Sequence, residues 1–273
     1  MTPALATPGA RTPALKKILA IVSVSIRQGL EERASVIGRM LFYTAILLIF
    51  SRLWEVIHAS GEGLVAEPRD FVWYLAITEW ILLSQPTIHL DVEAEVRRGE
   101  VAYALTRPIS YARLKLAEGA GSLLVRMCTL GPFGAALAWW LAGGGPSDPR
   151  ALWLGGAMAL AAGWVALCFH FAIGVCAFWI QDCSPVYWIW QKAFFLLGGL
   201  MLPLEIYPEW LRALAVLTPF SALLYEPART AFGWHPEVAA LGVTKIVVWG
   251  VVAGLVAVAL ERRAVRTIEI GGG

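Results

Sequence analysis

Long apolar stretches separated by short charged ones set the pattern of this chain. Six stretches approach or exceed the length of about 20 residues that a helix needs to cross the hydrocarbon core of a bilayer. They cover residues 36–57, 71–90, 119–141, 151–180, 186–204 and 237–260. The pattern therefore predicts an all-α integral membrane protein with six transmembrane helices.

The residues before the first span follow an amphipathic pattern instead. Apolar side chains recur at helical spacing from Leu15 to Ile26, and Lys16 and Arg27 lie on the opposite face. Such a helix is too polar on one face to span a bilayer comfortably, and it suits the membrane interface. We therefore predict an interfacial helix over residues 14–30.

Composition agrees with a membrane class. Of 273 residues, 58% are hydrophobic and 15% are charged, whereas soluble domains carry about 25% charged residues. The formal net charge of +2 is too small to argue for nucleic acid as a partner. We predict a disordered leader over residues 1–13, followed by a single transmembrane domain over residues 14–273.

The placement of lysine and arginine predicts the orientation, because cytoplasmic loops of membrane proteins carry an excess of these residues. If the N-terminus is cytoplasmic, the inner segments hold thirteen basic residues and the outer segments hold four. Both termini are therefore expected in the cytoplasm, together with the charged segment between the second and third spans.

That charged segment reads DVEAEVRRGEVAYALTRP at residues 91–108. Glu93 and Arg97 are four residues apart, a spacing that supports a short helix, and Gly99 then breaks it before a second short helix. The apolar side chains that could serve as knobs for a partner protein are Val92, Val96, Tyr103 and Leu105. The alternative is a solvated loop that only orients the spans through its arginines.

Prolines punctuate the stretch between the fifth and sixth spans, residues 203–236. Pro208 suits the start of a short helix, which Pro219 would end near Leu217, and Ser221 can cap a second one. Both pieces are apolar but too short to span, so we predict a re-entrant helical hairpin on the outer side, either dipping into the membrane or lying in the interface. The residues assigned to this hairpin are Pro203, Glu205, Pro208, Glu209 and Pro219.

Three ionisable residues fall inside predicted spans: Glu79, Arg126 and Lys192. An ionisable group in lipid costs about 2.5–3.5 kcal/mol on insertion scales, so each needs a partner or a wet cavity. Counted from the predicted span ends, the three lie at similar depths. We therefore predict that Glu79 pairs with Arg126 or Lys192, as a structural ion pair rather than a substrate contact.

No motif points to catalysis or metal binding on this chain. The four cysteines form no CxxC pair, and no zinc or disulfide framework is indicated. A GxxxxGK[ST] phosphate loop is absent, so ATP, if it is used, must be bound by another polypeptide. We predict no catalytic residue, no metal and no cofactor bound by this chain.

Several of these features together resemble the six-span permeases of type-2, exporter-class ABC transporters. They are the amphipathic helix before the first span, the run EVRRGEVAYALTRPIS at residues 95–110, and the proline-punctuated outer segment. The run is similar to a family signature through Gly99, Glu100, Leu105, Arg107, Pro108 and Ser110.

The resemblance implies a multi-pass permease of a bacterial plasma (inner) membrane that exports an unassigned cargo. It implies a dimer with a second permease chain, either a copy of itself or a sister chain. It also implies cytoplasmic ATPase subunits that bind ATP and Mg²⁺ and dock on the charged segment. The implied docking residues are Glu95, Arg97, Arg98, Gly99, Glu100, Tyr103, Leu105, Arg107 and Pro108.

Two other functions stay open from the sequence. An intramembrane enzyme such as a protease would need converging catalytic or metal-binding groups, but Glu79, His89 and His170 are scattered along the chain and no HExxH or GxSxG occurs. The membrane subunit of an ATP-dependent vitamin-uptake system would be expected to lack both the charged segment and the proline-broken hairpin.

Overall fold

The computed structural model describes residues 14–60, 68–146, 149–232 and 235–271. Within these ranges the chain is α-helical apart from turns and one short 3-10 helix, and it contains no strand, which confirms the all-α prediction. The helices are α1 (Ala14–Glu31), α2 (Arg33–Ala59), α3 (Pro68–Ser84), α4 (Ile88–Arg97), α5 (Val101–Leu105), α6 (Tyr111–Ala142), α7 (Pro149–Val175), α8 (Ala177–Ile180), α9 (Ser184–Leu197), α10 (Glu209–Val216), α11 (Pro219–Leu223), α12 (Tyr225–Phe232) and α13 (Pro236–Gly271).

Four helical stretches of the described chain are long and apolar enough to cross a membrane. They are Arg33–Ala59, Tyr111–Ala142, Arg150–Ile180 and Pro236–Arg266. They correspond to the first, third, fourth and sixth predicted spans. The third of them comprises α7 and α8, which a single turn at Cys176 separates. The predicted leader, residues 1–13, lies outside the described residues.

The second predicted span ends earlier than expected. Helix α3 has 17 residues and stops at Ser84, so the prediction of a helix to Leu90 was wrong. Pro86 explains the break, because proline lacks an amide donor and disfavours helical backbone at the residue before it. After the break the chain turns into α4.

The fifth predicted span, residues 186–204, is also shorter than expected. Helix α9 has 14 residues and ends at Leu197. Gly199 follows with a φ of 66°, a left-handed conformation that glycine adopts without steric cost and that commonly ends helices. The backbone then runs through a short 3-10 helix, Leu204–Ile206.

Helix α1 confirms the helix predicted over residues 14–30, and it packs along α6. A side chain at Gly121 would place its Cβ 2.5 Å from the Cβ of Ser25 and 2.7 Å from the carbonyl oxygen of Val22. The glycine therefore permits the close approach of the two helices. The exposed apolar residues Leu15 and Leu19 lie elsewhere on α1.

Helices α3 and α7 form the centre of the bundle, and α2 and α13 form its periphery. Residues 71–79 of α3 are all buried, whereas only 17% of the apolar window of α2, and of that of α13, is buried. A helix that is apolar all round must be buried in protein or in lipid. The outer faces of α2 and α13, for example at Leu41 and Val247, suit contact with lipid or with another membrane chain.

The proline-punctuated outer stretch forms the short helices α10, α11 and α12. Helix α10 follows Pro208 and ends just before Leu217, as predicted. The cap predicted at Ser221 was wrong, because α11 begins at Pro219 after an extended Thr218, and proline suits that first helical position. Helix α12 ends at Phe232.

Candidate functional site

The two short helices predicted in the charged segment are present as α4 and α5. Gly99 lies between them with a φ of 71°, so the predicted break is confirmed. Glu93 and Arg97 pair along α4, with 3.5 Å between Oε1 and Nη1. We call residues 88–105 the α4–α5 segment.

One face of the α4–α5 segment is open to its surroundings. Tyr103 is 77% exposed, and the Nε of Arg98 lies 2.9 Å from Oε1 of Glu100 on the surface. The predicted docking residues that lie on this exposed face or directly after it are Arg97, Arg98, Gly99, Glu100, Tyr103, Arg107 and Pro108.

A groove of about 450 Å³ runs beside this face. Val96, Arg97 and Val101 line one side, and Phe178 and Gln181 line the other. The groove therefore lies between the α4–α5 segment and the turn that joins α7 to α9. It combines an apolar floor with a charged rim, which is the usual anatomy of a protein-binding pocket.

Three of the predicted contact residues point inwards instead. Val92 is fully buried, so the prediction that it is a knob for a partner was wrong. Leu105 is partly buried and packs against the same apolar cluster. Glu95 is half-buried and binds within the bundle, as described below. The cause is that α4 lies flat on α7, where a Cβ at Gly174 would be 2.8 Å from the Cβ of Val92.

Glu93 ties the α4–α5 segment to the start of α9. Its Oε2 accepts a hydrogen bond from the backbone N–H of Cys183 (3.1 Å), while Oε1 faces Arg97. The carboxylate is buried, and both of its oxygens have a donor. Movement of α4 must therefore either carry the turn before α9 along or break these contacts.

Glu95 ties the same segment to α6. The Nζ of Lys115 donates to its Oε1 (2.6 Å), and the hydroxyl of Tyr111 donates to its Oε2 (2.7 Å). Lys115 also donates to Glu118 (2.7 Å). The side chain of Lys115 is only 7% exposed, so these charge-assisted bonds are shielded from water and strong.

The beginning of α6 is fixed from the other side by the last helix. Oε1 of Glu261 on α13 accepts a hydrogen bond from the backbone N–H of Ala112 (2.7 Å). A carboxylate at a helix N-terminus satisfies a free amide and complements the helix dipole. The α4–α5 segment is thus connected through α6 to α13.

Burial shifts the pKa of two groups at the start of α4. It lowers the pKa of His89 to about 4, and the ring stacks on Tyr187 with 3.8 Å between centroids. Burial also raises the pKa of Asp91, and the like charges of Glu95 and Glu118 act in the same direction. His89 is therefore neutral at physiological pH.

The sequence did not indicate Lys115, Cys183 or Glu261 as partners of this segment. Tyr111, Lys115 and Glu118 lie on one helical face, because they are spaced by four and three residues. A charged stripe at the start of α6 could therefore have been predicted from the sequence. The contacts to Cys183 and Glu261 join residues far apart in sequence, and no local signal pointed to them.

The predicted intramembrane pair does not form. Arg126 instead lies 3.6 Å from Glu32 and donates to the carbonyl oxygen of Gln85 (2.8 Å). Lys192 lies over the ring of Trp188, 5.5 Å from its centroid. Oε2 of Glu79 is buried without a hydrogen-bond partner. Because α3 ends at Ser84 and not at Leu90, the depth predicted for Glu79 was wrong.

Glu79 lines a cavity of about 470 Å³ between α2, α3 and α9. Its wall is largely aromatic and aliphatic, and two cations, Arg39 and Lys192, also border it. The lining side chains that carry a polar atom, apart from the two cations, are Glu79, Gln85, Thr87, His170, Tyr187, Trp188, Trp190 and Gln191. We call this the acceptor cavity, after the hydrogen-bond acceptors among its lining residues.

Two carboxylates of the proline-punctuated stretch have partners, although Oε2 of Glu226 is buried without one. Glu205 accepts a hydrogen bond from the hydroxyl of Tyr225 and lies 3.4 Å from Nε of Arg229. Glu226 on α12 pairs with Lys245 on α13. Glu209 lies in the first turn of α10, and Pro203, like Pro208, directly precedes a helix. These contacts hold the short helices against the bundle.

The described residues contain no group of three or more His, Cys, Asp or Glu side chains that could hold a metal ion. The four cysteines are free. His89 and His170, which are far apart in sequence, lie with 5.6 Å between ring centroids.

The long apolar helices define an α-helical multi-pass membrane protein, and the charged α4–α5 segment is bound to them. A family model described as ABC-2 family transporter protein matches residues 77–272, well over half of the chain. The protein belongs to this family and is a membrane permease of an ABC transporter, as the sequence resemblance indicated. Membership implies association with ATP-binding cassette subunits. No curated protein matches the sequence.

Proposed function

We propose that this chain is the permease subunit of an exporter and that its α4–α5 segment docks the ATPase subunit. The observation that carries the proposal is the two-sided character of this segment. Arg98, Glu100 and Tyr103 are exposed on one side, while Glu93 and Glu95 fix the other side to the bundle. A segment that couples two proteins needs both properties.

The contacts suggest how a push by the ATPase would reach the membrane helices. Displacement of α4 acts on α9 through Glu93 and Cys183, and on α6 through Glu95 and Lys115. It acts on α7 by direct packing at Gly174. Since packed interfaces shift between discrete arrangements more readily than they deform, such a displacement would move whole helices.

The proposed topology has six spans, with both termini and the α4–α5 segment in the cytoplasm. Helices α3 and α9 are the two shorter spans. At a rise of about 1.5 Å per residue, each crosses the membrane only if the bilayer is locally thinner or if the chain after the helix completes the crossing. The excess of basic residues in the inner segments supports this orientation. The outer short helices then form the re-entrant hairpin.

In this proposal ATP and Mg²⁺ bind to the partner ATPase, and this chain performs no catalysis and binds no cofactor. A second permease chain, either identical or a sister chain, completes the transport path in a bacterial plasma membrane. The largely exposed apolar face of α2, including Leu41 and Ile49, suits such a contact or lipid.

The docking proposal can be tested with two exposed aromatic residues. Tyr103→Ala removes the most exposed aromatic side chain of the α4–α5 segment, and Trp210→Ala removes one that is 70% exposed on α10. Truncation of an aromatic hot spot costs about 2 kcal/mol or more. We therefore expect Tyr103→Ala to weaken the affinity for the ATPase subunit by about tenfold or more. Less of the ATPase subunit should then co-purify with the permease.

Trp210→Ala is the matched control and should leave ATPase recovery and ATP-dependent transport unchanged, because α10 lies on the proposed outer side. Normal ATPase recovery with Tyr103→Ala would contradict docking at this face. An equal loss in both variants would contradict it as well, since the effect would then not depend on position.

A further inference from the structure

Three buried side-chain atoms of residues that line the acceptor cavity have no hydrogen-bond partner. They are Oε2 of Glu79, Oε1 of Gln85 and Nδ1 of His170. Their residues are 2%, 7% and 4% exposed. Most buried polar groups in proteins are hydrogen-bonded, and leaving one unpaired is unfavourable.

For Gln85 and His170, the hydrogen bonds that these residues already make identify the open atoms as acceptors. The amide nitrogen of Gln85 donates to the carbonyl oxygen of Ile81 (3.2 Å). His170 has a backbone hydrogen bond with Pro86, which uses its other ring nitrogen as the donor and leaves Nδ1 with a lone pair. A ligand that satisfies this site must therefore bring donors.

The two cations that border the cavity each have a contact of their own. Nη1 of Arg39 donates to the carbonyl oxygen of Leu83 (2.5 Å), and the guanidinium group also borders a second, polar cavity near Glu32. Lys192 is exposed and lies over Trp188 at the edge. The deepest charged group is therefore the carboxyl group of Glu79.

The rest of the lining favours an apolar or aromatic body. Trp188, Trp190 and Phe194 contribute rings or ring edges to the wall, and aromatic faces attract cations as well as apolar groups. A volume of about 470 Å³ lies within the range of roughly 300–1,000 Å³ that is usual for small-molecule sites.

We infer that the acceptor cavity binds a protonated amine with an apolar, aromatic-sized body, with the N–H donors directed to Glu79, Gln85 and His170. This inference rests on the proposed function, because it makes such amines the class of cargo that the permease recognises. Glu79 is the anionic contact, and the aromatic wall holds the body of the ligand.

Three probes of similar shape test this assignment: 2-(1-naphthyl)ethylamine, 2-(1-naphthyl)ethanol and 1-naphthylacetate. Their binding to the purified permease is measured by equilibrium dialysis. The permease is held in nanodiscs of lipids with no net charge, and the binding to nanodiscs without permease is subtracted. We expect the amine to bind about tenfold or more tightly than the carboxylate, since hydrogen bonds to charged groups contribute about 1.5–3 kcal/mol.

The variant Glu79→Gln should weaken amine binding by about tenfold or more and should change binding of the alcohol little. Glu55→Gln, at an exposed carboxylate paired with Arg52 on α2, is the matched control and should bind the amine normally. If Glu79→Gln does not fold, Gln85→Met decides, because it removes one acceptor from the cavity at similar size and should weaken amine binding severalfold.

Preference for the carboxylate, or unchanged amine binding by folded Glu79→Gln or Gln85→Met, would overturn the inference. The measurement needs neither nucleotide nor ATPase. Loss of ATPase docking with intact amine binding would therefore count against the proposed function alone, and the reverse result against this inference alone.

Discussion

In the α4–α5 segment all four carboxylate oxygens of Glu93 and Glu95 face a donor or a cation, whereas three acceptors of the acceptor cavity have none. Glu93 and the three cavity residues are buried, and the turn at Gln85–Thr87 joins the two regions. The difference lies in what each must do. A satisfied network holds one arrangement and transmits displacement, while unsatisfied groups retain free energy that a ligand can recover.

The comparison predicts opposite responses to the removal of a buried charge. In the α4–α5 region the loss of one partner strands the other, and in the cavity the loss of an unpaired group relieves a cost. Stability measurements on single variants therefore distinguish the two regions, in order of the expected effect.

Lys115→Met should have the largest effect. It leaves Glu95 and Glu118, whose side chains are 21% and 39% exposed, without their shared cation. Two hydrogen bonds to charged groups are lost, and each contributes about 1.5–3 kcal/mol. We expect a clearly lower midpoint of thermal unfolding for the purified permease. Lys16→Met, at an exposed position on α1, should not shift it. Equal midpoints for both variants would show that Glu95 is not held by Lys115.

Glu79→Met should act in the opposite direction. It replaces a buried carboxyl group that has an unpartnered oxygen with an apolar side chain of similar length, and should stabilise the fold by about 1–3 kcal/mol. The same variant should lose amine binding. A destabilised Glu79→Met protein would mean that the carboxyl group has a structural partner, and the contrast between the two regions would fail.

Local features of the α4–α5 segment were predictable from sequence, and its long-range contacts were not. The break at Gly99 and the Glu93–Arg97 pair depend on residues within one or two turns. Glu95 binds a lysine twenty residues away, which only the packing of α4 against α6 decides. The predicted pairing of Glu79 failed because its depth was counted along a helix that ends at Ser84.

Gly174→Ala tests the packing of α4 on α7 with a smaller expected effect. The added Cβ would lie 2.8 Å from Val92 and 3.0 Å from the backbone of His89, so α4 must shift, and such overpacking costs about 1–3 kcal/mol. The midpoint of thermal unfolding should fall, and so should the stimulation of the partner ATPase by the permease. Gly254→Ala on α13, with no atom within 4 Å of the new Cβ, is the control and should match the wild type or exceed it.

Arg98→Ala should have the smallest effect on stability and thereby separates docking from folding. The pair of Arg98 and Glu100 is solvent-exposed, and such pairs contribute about 0–1 kcal/mol. The unfolding midpoint should therefore stay near that of the wild type, while ATPase recovery falls if the exposed face is the docking surface. Arg212→Ala, an exposed arginine on α10, should alter neither quantity. A large loss of stability with Arg98→Ala would show that the outer face of the segment is also part of the internal network, so that its two sides do not have separate roles.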